Sequence, residues 1–179
     1  MIVWLNGAFG AGKTTTARVL QDALPARVFD AEHIGHLLRG IIGDLPHRDF
    51  KEFPPWRALT VATARHVLDY AGGTLVIPQT VLEAPIWTEL TDGFDHHGIP
   101  LHAYTLHTDR TTFAHRVHHD RDEPTALQWR LDHRDPYEQA LHTWLADATT
   151  VIDTTALTPA QTAARIRDHL QPARNPGTP

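Results

Sequence analysis

The stretch that decides the fold is Ile2-Val-Trp-Leu-Asn-Gly-Ala-Phe-Gly-Ala-Gly-Lys-Thr14. It begins with a short, wholly apolar run, which is typical of a parallel strand buried on both faces. The run leads into Gly7–Thr14, which fits the pattern G-x-x-x-x-G-K-[ST] of a phosphate-binding loop. A helical pattern follows the loop and continues to about Leu24. This order of strand, glycine loop and helix predicts a site for the phosphates of a nucleotide.

The residue types of this loop suit that chemistry. Glycines let backbone N–H groups converge on an anion, and the start of the following helix adds the positive end of its dipole. Lys13 is predicted to reach the β- and γ-phosphates, and the Thr14 hydroxyl to bind Mg²⁺. We therefore expect ATP and Mg²⁺ as cofactors. The residues expected to contact the nucleotide here are Gly7, Ala8, Phe9, Gly10, Ala11, Gly12, Lys13, Thr14 and Thr15.

Further apolar runs resemble the first strand and alternate with helical patterns. Such alternation predicts an α/β fold, in which a parallel sheet is covered by helices on both faces. We find no internal repeat and no linker, so we expect one domain over residues 1–170 and a flexible tail over 171–179. One helical face groups Leu59, Ala62, His66, Val67 and Tyr70. The predicted strands are Ile2–Leu5, Arg27–Asp30, Thr74–Ile77, His102–Leu106 and Thr150–Asp153.

Composition excludes several classes of protein. The 179 residues include no cysteine and no serine, which excludes a serine or cysteine nucleophile, thiol redox chemistry and a zinc–thiolate site. The net charge of −5 argues against a broad nucleic-acid surface. No apolar run approaches the roughly 18 residues of a membrane helix, and no basic leader precedes the first strand. We expect a cytoplasmic protein.

An ATP site also needs a carboxylate that organises the metal. Asp30-Ala-Glu32 follows the second predicted strand, at the sheet edge where the phosphate loop also opens. We expect Asp30 to hold a Mg²⁺-bound water or to accept the proton of an attacking hydroxyl, and Glu32 to contact the acceptor. The third predicted strand ends without an acidic residue, so Asp30 is the stronger candidate for the carboxylate that organises the metal. The alternative is that Asp30 only caps the helix that follows it.

Three more residues are candidates for contact with an acceptor. Phe53-Pro-Pro-Trp-Arg57 opens the third helix, and an arginine beside an aromatic ring is suited to an anionic or planar acceptor. Gln79 and Thr80 end the third strand and face the same crevice. The alternatives are a surface arginine at a prolyl helix start and a strand end that simply begins a loop.

The segment Ala114–Asp135 is predicted to be a helical lid that carries arginines. It holds four arginines among acids and histidines and has little apolar content. A closing arginine would neutralise the charge on the γ-phosphate oxygens and exclude water. Arg116 and Arg121 are the expected catalytic pair, because they come first after a helix that starts near the phosphate edge. The alternative is a solvated helical hairpin.

Three stretches of the sequence resemble the tunicamycin-resistance protein family. They are Trp4–Thr14, Pro55-Trp-Arg57 and Val76-Ile-Pro-Gln-Thr80. More distantly, the layout over residues 1–170 is similar to shikimate kinase, chloramphenicol phosphotransferase and nucleoside monophosphate kinases. The resemblance implies a three-layer P-loop NTPase fold, a five-stranded parallel sheet in the order 2-3-1-4-5 and an arginine-bearing lid.

The resemblance also implies roles for particular residues. Asp30 and Glu32 match the D-x-D pair of shikimate kinase, and Arg57 matches its acceptor-binding arginine. Thr154 and Thr155 fall where these kinases wrap the adenine. Members known for membrane association carry a longer amphipathic C-terminal region than this chain has, so membrane association is not expected.

The motif and the resemblance together predict an ATP-dependent phosphotransferase. Its acceptor is expected to be a small hydroxyl-bearing molecule, with the nucleoside antibiotic tunicamycin as the leading choice. Two alternatives stay open at this point. One is a nucleotide-binding protein that sequesters the drug without phosphoryl transfer, and the other is a nucleoside monophosphate kinase.

Overall fold

The computed structural model of the protein describes residues 1–119 and 131–170. A five-stranded parallel sheet crosses it in the order β2-β3-β1-β4-β5. This confirms the predicted α/β fold and the strand order implied by the resemblance. The strands are β1 Ile2–Gly7, β2 Ala26–Val28, β3 Thr74–Pro78, β4 Leu101–His107 and β5 Thr150–Asp153. The helices are α1 Lys13–Ala23, α2 Glu32–Ile42, α3 Pro54–Ala71, α4 Ala84–His96, α5 Arg110–His119, α6 Arg134–Ala140 and α7 Pro159–Leu170.

Helices cover both faces of the sheet because the central strand β1 is apolar on both. Ile2 and Trp4 point into a core that includes residues of α2, α3 and α4. Val3 and Leu5 point the other way, into a core with α1 and α7. All four side chains are fully buried, and their alternation follows the two-residue period of a strand. The strand thus carries its glycine loop to the middle of the carboxyl edge of the sheet.

A row of tryptophans connects this core to the helix that follows the predicted lid. The rings of Trp4 and Trp87 meet edge to face with centroids 5.5 Å apart, and those of Trp87 and Trp144 lie 6.3 Å apart. Trp144 lies in a π-helical stretch, Leu141–Leu145, that continues α6. The π-helical turn is a local distortion of that helix.

Two other details differ from the sequence-based prediction. Strand β2 ends at Val28, two residues earlier than predicted, although the N–H of Phe29 still donates to the carbonyl of Val76 at 2.8 Å. The predicted apolar face of α3 turns outward, and its Tyr70 is 95% exposed. The buried residues of α3 are Trp56, Thr60, Val61 and Ala64.

The chain leaves β1 through a buried asparagine. Asn6 accepts hydrogen bonds at Oδ1 from the N–H groups of Gly7 at 2.8 Å and Val81 at 3.1 Å, and its Nδ2 donates to the Val81 carbonyl at 2.8 Å. Beside it, Trp4 Nε1 donates to the Gln79 carbonyl at 2.9 Å. These bonds fix the start of the glycine loop against the segment that follows β3.

We predict that Asn6→Ala lowers the free energy of unfolding by about 2–4 kcal/mol, because three buried backbone groups lose their partners at once. Urea denaturation followed by circular dichroism measures this change. The exposed Thr88→Ala on α4 serves as the control and is expected to stay within about 0.5 kcal/mol of the wild type. Equal stability of the two variants would contradict the anchoring role of Asn6.

Candidate active site

The loop between β1 and α1 has the backbone shape that an anion cradle requires. Gly10 and Gly12 have φ angles of 74° and 91°, and Gly12 is the left-handed residue directly before α1. At Gly7, φ is 135°, and an added Cβ would lie 2.3 Å from the Leu106 carbonyl oxygen. A side chain at these positions would therefore strain or fill the cradle. The loop fits a phosphate group held at the start of α1.

Lys13 is held above the loop that it follows. Its Nζ donates to the carbonyls of Gly7 at 3.0 Å and Ala8 at 2.8 Å, and it lies 5.4 Å from the centroid of the Phe9 ring. The ring of Phe9 in turn meets His133 edge to face, with centroids 5.6 Å apart. The ammonium is thus fixed at the loop, where a charged phosphate oxygen is a stronger partner than a carbonyl.

A cavity of about 330 Å³ opens beside the glycine loop. Helix α5 and the connection from β5 to α7 form its other walls, so the cavity lies on the β4–β5 side of β1. The predicted nucleotide contacts in its lining are Gly10, Ala11, Gly12, Thr15 and Thr154, and Arg116 and Pro159 also line it.

Arg116 is held at the wall of this cavity. Its Nη2 donates to the carbonyls of Thr154 at 2.9 Å and Thr155 at 3.5 Å. Thr154 Oγ1 donates to the His107 carbonyl at 2.8 Å, which ties the same connection to the end of β4. The structure thus brings Arg116, Thr154 and Thr155 together next to the loop.

Asp30 lies at the same sheet edge on the other side of β1, beyond β3. Its Oδ1 accepts from the N–H of Glu32 at 2.9 Å, which is the bond that the helix-capping alternative predicts. Glu32 is exposed at the first turn of α2. Asp30 therefore lies at the sheet edge where the sequence predicted it, and its side chain makes the hydrogen bond expected of a helix cap.

Gln79 and Thr80 are buried directly after β3, between the loop and Asp30 in the order of the sheet. Thr80 Oγ1 donates to the Gly7 carbonyl at 2.9 Å, so this threonine supports the loop. Gln79 Nε2 donates to the Thr80 carbonyl at 3.3 Å. Within the described parts of the chain, Gln79 Oε1 has no hydrogen-bond partner.

Arg57 is engaged in contacts with the protein itself. Its Nε pairs with Glu89 on α4, and its Nη1 donates to the carbonyls of Lys51 at 2.9 Å and Glu52 at 3.3 Å. These bonds join the start of α3 to α4 and to the 3₁₀ turn Phe50–Glu52. The positive charge of Arg57 is therefore neutralised by Glu89 in the absence of an acceptor.

The described flanks of the predicted lid contain one buried arginine, while Arg121 lies outside the described residues. Arg134 is 4% exposed, and its guanidinium lies 5.1 Å from the Phe113 ring and 5.4 Å from the Tyr137 ring. The pKa of His107 is lowered mainly by burial and, to a smaller extent, by the positive charge of Arg134. His107 is therefore neutral at pH 7, while its Nδ1 lies 3.1 Å from the Tyr137 hydroxyl.

Several residues of the site had no recognised signal in the sequence. In the sequence, Trp4 and Asn6 stand out only as members of the stretch Trp4–Thr14 that resembles the tunicamycin-resistance family, yet their side chains hold the segment after β3. Nothing in the sequence distinguishes Arg134 as the buried one among the four arginines of the predicted lid. In the parts that the structure describes, no group of three or more His, Cys, Asp or Glu side chains is arranged to hold a metal ion.

The loop, the cavity and the strand order define a P-loop kinase-like fold. A sequence profile described as AAA domain matches residues 2–133, and the chain belongs to this family. Among solved structures, it is similar to the tunicamycin resistance protein of Deinococcus radiodurans, with 28% identity, a TM-score of 0.73 and 94% of each chain covered. This likeness confirms the resemblance that the sequence indicated.

Small-molecule kinases are also among its relatives. The chain is 27% identical over 137 residues to a shikimate kinase of Thermosynechococcus vestitus, covering 74% of this chain and 68% of that protein. Its fold is also that of a gluconokinase from Sinorhizobium meliloti, with 18% identity, a TM-score of 0.59 and 94% of each chain covered. None of the helices in the described residues has the length and apolarity needed to cross a membrane.

We predict that Arg116→Ala raises the dissociation constant of ATP at least about 10-fold, because a wall of the cavity and its bonds to Thr154 and Thr155 are lost. Titration calorimetry with a non-hydrolysable ATP analogue measures this constant. Arg18→Ala, which removes an exposed cation from α1, is expected to leave it unchanged. An Arg116→Ala variant with wild-type affinity would show that this wall takes no part in nucleotide binding.

Proposed function

We propose that the protein is an ATP-dependent phosphotransferase that phosphorylates a hydroxyl group of a small molecule. The observation that carries this proposal is the position of the phosphate loop between two different surroundings. On one side lies the cavity walled by α5 and the β5–α7 connection. On the other side lie the polar ends of β3 and β2, with Gln79 and Asp30. A nucleotide in the first and an acceptor in the second would meet at the γ-phosphate.

Each residue of the loop then has a role in binding or charge stabilisation. Lys13 moves from the carbonyls of Gly7 and Ala8 to the phosphate oxygens and stabilises their charge in transfer. Thr14 would hold Mg²⁺ through its hydroxyl, and Asp30 would hold a water bound to the ion. The ion would supply positive charge that offsets the charge of the phosphates. Arg121 is proposed to add charge stabilisation from the lid.

Asp30 is proposed to accept the proton of the attacking hydroxyl. The acceptor oxygen forms a bond to the γ-phosphorus as the bond from that phosphorus to the β,γ-bridging oxygen breaks, and ADP leaves with the bridging oxygen. Glu32, Gln79 and Thr80 lie on the acceptor side, and Arg57 orders its outer wall. Arg116, Thr154 and Thr155 hold the base end of the nucleotide, so the contribution of Arg116 comes mainly through binding.

Tunicamycin is the acceptor that we propose. The likeness to the D. radiodurans tunicamycin resistance protein supports this choice, and a cytoplasmic location, where ATP is available, is consistent with it. Mass spectrometry of tunicamycin incubated with the protein and Mg·ATP tests the proposal. A mass gain of one phosphate group is the expected result. Unmodified drug that co-purifies with the protein would instead indicate sequestration and contradict the transferase.

We predict that Lys13→Ala reduces ATP-dependent phosphoryl transfer at least about 100-fold, because the ammonium that offsets phosphate charge is removed. ADP release in the presence of acceptor measures the rate. The melting temperature should stay near that of the wild type, since Lys13 is the first residue of α1 and its side chain contacts the loop rather than the apolar core. Undiminished ATP binding and transfer would rule out the phosphate-loop site.

We predict that Asp30→Asn lowers kcat about 10²–10⁴-fold while ATP affinity changes little, because the amide cannot accept a proton. The substitution keeps an oxygen for the N–H of Glu32, so the helix cap and the melting temperature are preserved. Steady-state kinetics and a thermal melt are the two measurements. Asp44→Asn, an exposed change near the end of α2, is the control. Near-wild-type turnover would mean that Asp30 is only a cap.

A further inference from the structure

The segment Gln79–Leu82, which follows β3, is held rigidly by side chains from elsewhere. Asn6 bonds both the N–H and the carbonyl of Val81, at 3.1 and 2.8 Å. Two indole nitrogens donate to carbonyls at the ends of the segment, Trp4 to Gln79 at 2.9 Å and Trp144 to Leu82 at 3.2 Å. With its backbone fixed from β1 and from the π-helical stretch, the segment presents its side chains in set positions.

One polar atom of this rigid segment stands out. Gln79 is 2% exposed, and its Nε2 is used by the Thr80 carbonyl, which fixes the orientation of the amide. Its Oε1 accepts no hydrogen bond from any part of the chain that the structure describes. A buried acceptor without a donor is costly. Gln79 follows β3, which lies in the sheet between β1, with its glycine loop, and β2, which precedes Asp30. A molecule bound at this edge of the sheet would be able to supply the donor.

Two cations at or just before the start of α3, in the part of the chain that the structure describes, already have carboxylate partners. Arg57 pairs with Glu89, and Lys51 pairs with Asp49. An anionic acceptor would need an unbalanced cation to offset the loss of its hydration. Arg39 does not supply one near Asp30, because it lies in the last turn of α2, against the ring of Phe50.

We infer that the acceptor is an uncharged molecule that donates a hydrogen bond from a hydroxyl or N–H group to Gln79 Oε1. Glu89 neutralises the positive charge of Arg57 and thereby weakens the binding of anionic acceptors. This inference rests on the proposed phosphotransferase function and narrows its substrate class. A carboxylate or phosphate beside Gln79 would meet the side-chain carbonyl oxygen, which repels it, and Arg57, the arginine predicted to contact an acceptor, is already paired with Glu89. Sugar acids and nucleoside monophosphates are thereby disfavoured, and polyols, glycosides and nucleosides are favoured.

Matched pairs of probes test the charge preference directly. Glucose is compared with gluconate, and uridine with uridine 5′-monophosphate, by titration calorimetry in the presence of a non-hydrolysable ATP analogue; tunicamycin serves as a third uncharged probe. The wild type is expected to bind at least one uncharged probe and to bind each anion at least about 10-fold more weakly than its uncharged counterpart. Tighter binding of the anionic members, or no binding of any uncharged probe, overturns the inference.

Glu89→Gln tests the role assigned to Glu89. This side chain is 55% exposed on α4, so its replacement leaves the fold intact, and Asp92→Asn on the same helix is the matched control. Glu89→Gln is expected to bind gluconate or uridine 5′-monophosphate at least about 10-fold more tightly than the wild type, and Asp92→Asn to match the wild type. Equal affinities in the wild type and Glu89→Gln, including no measurable binding by either, overturn this assignment.

Gln79→Met tests the hydrogen bond, because it keeps the shape of the side chain and removes the acceptor. Affinity for the uncharged probes should fall at least about 10-fold, while the melting temperature falls by no more than about 2 °C. Unchanged affinity, or a large loss of stability that reveals an internal partner, overturns the inference. Phosphorylation of an anionic probe by the wild type would overturn it and leave the phosphotransferase standing. If the expected changes in binding occur but no phosphorylated product forms, the proposed phosphotransferase activity is contradicted, while the inference about the charge of the bound molecule still holds.

Discussion

The buried side chain of Asn6 is the constraint on which the rest of the site depends. An amide side chain has two acceptor positions and two donors, and here Asn6 uses both acceptor positions and one donor on two different segments. It fixes the first N–H of the glycine loop and both polar groups of Val81. The glycine loop and the segment after β3, which in the proposed function bind the phosphates and the acceptor, are therefore both anchored by this one residue.

The organisation of the sheet gives these halves different chemistry. On the β4–β5 side, backbone carbonyls, threonines and Arg116 surround an open cavity, which suits a base and ribose. On the β3–β2 side, within the residues that the structure describes, Arg57 is paired with Glu89, and the buried polar side chains after β3 are the amide of Gln79 and the hydroxyl of Thr80. Lys13 and the start of α1 lie between the two sides. In the proposed function, specificity and charge stabilisation would therefore reside in separate parts of the fold.

Much of the fold was predictable from the sequence because its signals are local. The apolar run before Gly7 and the glycine loop each depend on residues close together in the chain, and the structure has the expected strand, loop and helix start. The outer face of α3 was harder to assign. That helix carries apolar residues on two sides, and periodicity alone does not say which side meets the sheet. Contact with α4 and the sheet decides it.

The candidate site was predictable in part for the same reason. Residues at strand ends, such as Asp30 and Gln79, follow from the rule that parallel strands share a functional edge. The partners of Arg57 did not follow, because Glu89 is 32 residues away in the chain and only packing of α3 on α4 brings it close. The roles of Asn6 and Trp144 likewise depend on contacts between distant segments.

The tryptophan row also gives the molecule a built-in optical reporter. Trp4, Trp87 and Trp144 lie ring to ring, at 5.5 and 6.3 Å, close enough for their excited states to interact and for energy absorbed by one indole to be emitted from another. Trp144 belongs to the helix that continues from the lid region, whereas Trp4 belongs to the central strand. A displacement of that helix of even an ångström would change the coupling, and so alter the near-ultraviolet circular dichroism and the emission colour of the unlabelled protein.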